Sequence, residues 1–161
     1  MKISPKITLT KTLKHLLAGS ALAVASLLHA AVVLAADTPV GKWETIDDKT
    51  GKPKSLVEIT EDSKGVLSGK IVKGLGPDAN PDRRCTACKG EHKDELIRGM
   101  TFISGLKKDD DEWTGGTIID PESGKTYKCN MHLTDGGQKL VVRGYIGFSL
   151  VGRSQTWNRQ Q

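Results

Sequence analysis

The sequence predicts an all-β chain: eight antiparallel strands in up-and-down order, closed into a small barrel. Three observations lead there. Apolar and polar residues alternate with period two, as where Tyr127, Cys129, Met131 and Leu133 share one face and Lys128, Asn130 and His132 the other. The alternating runs are short and separated by turn chemistry at the spacing of an all-β sandwich or barrel. No two runs are joined by a helix-length crossover, which argues against a parallel sheet.

Taken in order, the first strand covers 41–47 and ends in the polar turn 48–54. The second covers 55–61, where Val57 and Ile59 alternate with Glu58 and Thr60, and Asp62-Ser63-Lys64-Gly65 turns the chain into a third at 66–75. A long loop rich in proline, glycine and cysteine follows. The fourth strand, 97–106, runs into an acidic tip at 107–112. The fifth, 113–119, leads into Asp120-Pro121-Glu122-Ser123-Gly124, and the sixth, 126–134, meets Asp135-Gly136-Gly137. Strands at 139–147 and 154–159 complete the set, the last with Arg153, Gln155, Trp157 and Arg159 on one side. One-faced strands of this kind suit an antiparallel sheet wet on one surface. Gly69, Gly99, Gly115, Gly116 and Gly144 fall inside the runs and mark bulges or bends. A sheet that curls onto itself needs such points, and closure removes its exposed edges.

The first 35 residues read differently. Lys2, Lys6, Lys11 and Lys14 precede an apolar stretch from Leu16 to Ala36, and Val33-Leu34-Ala35 supplies small residues at a cleavage point. This is the pattern of a Sec-type secretory signal peptide. The expectation is therefore a signal at 1–35, a barrel domain at 36–161, and a periplasmic or secreted product with no stable membrane insertion after cleavage. An uncleaved anchor is the alternative, since the stretch is about long enough to span a bilayer. The leader also accounts for the basic balance. Of 24 Lys+Arg, four lie there, so the rest of the chain sets 20 bases against 19 acids. That near-neutrality argues against a nucleic-acid partner.

Export makes thiol oxidation the default. Cys85 and Cys88 form a CxxC, with Cys129 far downstream. The expected disulfide is Cys85–Cys88, pinning the long loop, while a bond from either to Cys129 stays open. A redox role would call for a helix after the CxxC, and Pro77, Pro81 and Gly90 surround it instead. Zinc ligation by Cys85, Cys88 and His92 with Cys129 or His132 has suitable ligand types, but alternation puts Cys129 and His132 on opposite faces. No metal and no cofactor is expected. Gly74-x-Gly76, Gly124-Lys125-Thr126 and the acidic run 109–112 lack the context of dinucleotide, phosphate and calcium loops. Ser149 departs from a nucleophile elbow. No enzyme is expected.

An eight-stranded barrel is either just filled by side chains or left open for one small ligand. Trp43 and Trp157 come from the first and last strands, which closure sets side by side, and Arg159 can cover a tryptophan ring there. Trp43, Trp157 and Arg159 are thus the expected closure device. Gly41-x-Trp43 with an arginine in the last strand resembles the signature of lipocalin-like, calycin-type barrels. A wider resemblance covers nearly the whole chain after the leader: Gly41-Lys42-Trp43, Asp48 to Ser55, Cys85-Thr86-Ala87-Cys88, Gly115 to Pro121, Gly124 to Tyr127, Arg143 to Gly147, and Gly152 to Arg159. These segments resemble an uncharacterised family of secreted bacterial proteins, domain of unknown function 2147. The resemblance implies a small lipocalin-like barrel in the cell envelope and carries no established activity. The functional expectation is a small, largely apolar ligand held at the barrel interior and mouth by Trp43, Trp113, Tyr127, Arg143, Tyr145 and Trp157. The alternative is a ligand-free structural or protein-interaction module. A thiol-based enzyme is a third reading.

Overall fold

The computed structural model describes residues 37–77 and 79–161. The expected signal peptide at 1–35, with its cleavage point, lies outside the described residues. From Gly41 onward the chain forms β1 (Gly41–Ile46), β2 (Pro53–Glu61), β3 (Val66–Gly74), β4 (Thr101–Asp109), β5 (Glu112–Asp120), β6 (Lys125–Thr134), β7 (Lys139–Tyr145) and β8 (Gly152–Arg159). Each strand pairs antiparallel with the next, and β1 pairs with β8 through Trp43↔Arg159 and Glu44↔Asn158, so the sheet is a closed barrel. Every strand expected from the alternation is present.

The boundaries that move do so for local reasons. The fourth strand was expected from 97, yet it begins at Thr101. Ile97 donates its N–H to Arg83 O (2.9 Å) and Gly99 to Ile71 O (2.7 Å), so these residues complete the loop. At the other end the acidic tip does not stop the strand. Lys108 pairs with Trp113 and Asp109 with Glu112, leaving Asp110-Asp111 as a two-residue turn with Asp110 at φ 50°. Aspartate tolerates that left-handed conformation better than most residues. The strand expected over 139–147 ends at Tyr145.

Up-and-down order gives the barrel two unlike ends. At one end β1 starts and β8 finishes, and the turns β2–β3, β4–β5 and β6–β7 are short. The buried cluster includes Trp43, Val57, Ile59, Leu67, Leu106, Trp113, Met131 and Leu140, which fill the barrel toward this end. The opposite end carries the four remaining loops, including the long β3–β4 connection. That connection folds back on itself through the bridge Arg84↔Leu96 and through Cys85 N–H to Glu95 O (2.9 Å). The disulfide Cys85–Cys88 closes its tip, with both residues buried. The Cys129 alternative is thereby excluded: its thiol is free and buried on the inner face of β6.

Candidate functional site

The closed end is a plug built from the two ends of the sheet. Trp43 is fully buried and donates its indole N–H to Pro39 O at 2.7 Å. The Arg159 guanidinium carbon lies 4.2 Å from the centroid of that indole ring. Its nitrogens donate to Gly137 O (2.6 Å), Val40 O (3.1 Å) and Thr38 O (2.7 Å). Partial burial lowers the Arg159 pKa from its usual value, while three carbonyl dipoles and a π face surround its charge. One side chain thus ties the segment before β1, the β6–β7 turn and β8 together.

Above this plug the barrel opens. A cavity of about 1210 Å³ extends from the interior to the loop-bearing mouth. Trp157 and Phe102 form its apolar floor, their ring centroids 6.2 Å apart and stacked at 29°. Ile71, Ile118 and Val142 line the wall, with Tyr127 and Tyr145 above them. Two polar pairs are set into the wall. The hydroxyls of Thr45 and Ser55 lie 2.7 Å apart. Gln155 donates to Asp48 Oδ2 (2.8 Å) and accepts from the Trp157 indole (3.4 Å).

The mouth is charged. Lys54 bridges Glu122 (2.8 Å) and Asp47 (4.0 Å), Arg83 approaches Glu122 (3.9 Å), and Arg153 pairs with Asp48. Lys73 and Arg98 also line the opening. Asp47 is held below the usual carboxylate range, first by the Thr50 hydroxyl and then by the Thr50 backbone N–H. The same carboxylate oxygen takes the Lys49 N–H, so Asp47 shapes the β1–β2 loop. Beside the mouth, a smaller depression of about 570 Å³ lies between the disulfide loop and the start of β6, lined by Lys89, His92, Lys125, Tyr127 and Ile146.

Of the six residues expected to contact a ligand, Tyr127, Tyr145 and Trp157 line the cavity, and three do not. Trp43 lies in the plug beneath it. Trp113 is buried near the closed end, with Lys108 Nζ 4.1 Å from its ring centroid. Arg143 turns to the outer face, because its neighbour Val142 takes the inward position; it donates to Ser149 O (2.8 Å) and Ser154 Oγ (3.0 Å). Phe102, Ile71, Ile118, Gln155, Lys73 and Arg98 were not singled out. Alternation marks which face a residue occupies, and for Ile71 and Gln155 it was the available signal.

The cysteines offer little accessible chemistry. Cys85 Sγ sits 3.3 Å from Pro121 O, a contact rather than a hydrogen bond because an oxidised sulfur carries no proton. Disulfide formation removes both thiolates from any ligand set. Burial pushes the Cys129 thiol up to about 12. His132 lies on the outer face, 3.7 Å from Glu112 Oε1, and His92 Nδ1 is 2.6 Å from Glu95 Oε2. Among the described residues no three His, Cys, Asp or Glu side chains gather as a metal site.

Sequence and fold comparisons agree with this architecture. The model of the family described as "uncharacterized protein conserved in bacteria (DUF2147)" matches residues 41–159. The chain belongs to that family. Among solved structures it is similar to protein HP1028 from Helicobacter pylori, described as belonging to the lipocalin family. The TM-score is 0.65 at 21% identity, over 76% of this chain and 82% of that one. Likeness at that identity speaks to the fold, which is lipocalin-like. No curated protein matches the chain.

Proposed function

We propose that this member of the family binds one small, largely apolar molecule inside its barrel, and does so in the cell envelope after its leader is removed near Ala35. The observation that carries the reading is the cavity of about 1210 Å³ above the Trp43–Arg159 plug. Small-molecule sites are concave, mostly apolar and furnished with a few polar groups, and commonly measure about 300–1,000 Å³. Here burial against Phe102, Trp157, Ile71, Ile118 and Val142 supplies the affinity. Tyr127, Tyr145 and the basic side chains at the rim orient a polar end toward the mouth. No residue is assigned to catalysis.

Mass spectrometry of the protein purified gently from its own host, first native and then denatured, tests this. A reproducible adduct lost on denaturation is expected, on a chain that begins near Ala36. A bare chain that also fails to take up apolar probes such as long-chain fatty acids or retinoids would favour a ligand-free module.

A further inference from the structure

The loop between β7 and β8 turns four large apolar side chains to solvent at the rim of the cavity. Ile146 is 64% exposed, Phe148 85%, Leu150 90% and Val151 72%. Single exposed apolar residues are ordinary, whereas a contiguous group marks an interaction surface. The loop is a built element. Ile146 N–H donates to Val151 O (3.2 Å) and Val151 N–H to Phe148 O (3.1 Å). Arg143 and Lys128, on the outer faces of β7 and β6, donate to Ser149 O (2.8 Å) and Gly147 O (3.5 Å). The backbone oxygens are held toward the barrel while Phe148 and Leu150 project from it.

Charge says what covers them. Lys128 and Arg143 reach the loop directly, Arg153 follows it in sequence, and Lys89 and Lys125 share a depression with Ile146. Of these five bases, Arg153 is paired with Asp48. The far end is acidic. Its turns, their flanks and the sheet ends hold Asp37, Glu61, Asp62, Asp109, Asp110, Asp111, Glu112 and Asp135, against Lys42, Lys64, Lys107, Lys108, Lys139 and the plug's own Arg159. Such a molecule presents its apolar, basic end to a negatively charged surface and turns its acidic end away.

We propose that the 146–151 loop is a membrane-docking tip: Phe148 and Leu150 enter the interfacial layer of a bilayer, and the surrounding lysines and arginines engage anionic headgroups. Apolar burial and attraction to anionic lipid are the two forces that hold interfacial elements on a membrane. Docking in this way sets the barrel mouth on the lipid surface. Ile146 and Val151 line the cavity as well as the loop, so an apolar path leads from the bilayer to the interior. The docking surface itself does not depend on the cavity being occupied.

The test is flotation of the protein, purified from its own host, with vesicles of phosphatidylcholine alone or mixed with phosphatidylglycerol. Binding to the mixed vesicles is expected to be stronger by about tenfold or more, and to weaken with salt. Phe148→Ser with Leu150→Ser is expected to reduce it by about tenfold or more, with the thermal melt and any native adduct unchanged. Phe148→Trp gives a second readout, a blue shift of its emission on adding mixed vesicles. Failure to float with either lipid overturns the proposal. So does a double variant that floats as well as the parent, which would leave the loop to a protein partner.

Discussion

Arg159 shows how much one side chain can carry in a small barrel. Its guanidinium covers Trp43 and donates to three backbone carbonyls, two on the segment before β1 and one in the β6–β7 turn. A stacked cation contributes about 0.5–2 kcal/mol, and hydrogen bonds from a charged donor about 1.5–3 kcal/mol. Arg159→Ala is therefore expected to lower unfolding stability by about 2–4 kcal/mol, measured by urea denaturation. Arg159→Lys should recover only part of that, because an ammonium lacks the planar fork that reaches three acceptors. Cys129 gives a second residue-scale prediction. Burial pushes its pKa up to about 12, well above that of an exposed thiol, so the folded chain keeps it as a thiol where the unfolded chain ionises it. Its effect on stability is then absent at neutral pH and becomes a loss as pH rises above about 9. Thiol labelling at pH 8 should be negligible in the native protein and rapid in denaturant. Fast native labelling would show that β6 opens readily. Closure, which sets first and last strands together, was the signal that puts Arg159 beside a tryptophan; that the ring is Trp43 and not Trp157 is read from the structure. Which tryptophan meets the cavity was not legible in the sequence: alternation gives the face of Trp113, while its height in the barrel depends on strand stagger.

Among the elements, the strands were legible because turn residues and period-two alternation specify the same boundaries. Asp62-Ser63-Lys64-Gly65 and Asp135-Gly136-Gly137 each lie between strands. The loops at the mouth were less so, since their shape is fixed by contacts between segments distant in sequence. Gly124 is the sharpest case. It has φ +67°, and a Cβ placed there would lie 2.0 Å from Ala87 O and 2.3 Å from Ala87 C. The β5–β6 turn thus packs backbone to backbone against the disulfide loop, and only glycine permits that approach. Gly124→Ala must displace the 85–88 segment or the turn. The expected result is a destabilisation of about 2–3 kcal/mol, with faster proteolysis confined to the β3–β4 connection. The disulfide itself should matter less. It closes a very short loop, where the chain-entropy contribution is small. Reduction is accordingly expected to loosen the same connection while leaving the barrel folded, as seen by hydrogen exchange in β1–β8 against residues 79–100.

For the whole molecule, the question is whether the barrel is a container or a filled scaffold, and one substitution separates the two. The plug end is packed to closure around Trp43 and Leu140, whereas Ile118 is only partly buried and faces the cavity. In a well-packed core, adding a large ring forces neighbours off their rotamers and costs about 1–3 kcal/mol. In an unfilled cavity the same ring gains contact and removes apolar surface from water. Ile118→Trp is therefore expected to leave the melting temperature unchanged or raised, and to abolish uptake of an apolar probe along with any adduct retained from the host. Phe148 and Leu150 project to solvent and do not line the cavity, so flotation with anionic vesicles should survive this change. A variant that melts lower by several degrees, with no change in probe binding, would mean that side chains already occupy the space in solution. The barrel would then serve as a rigid mount for its apolar loop, with no cargo to deliver.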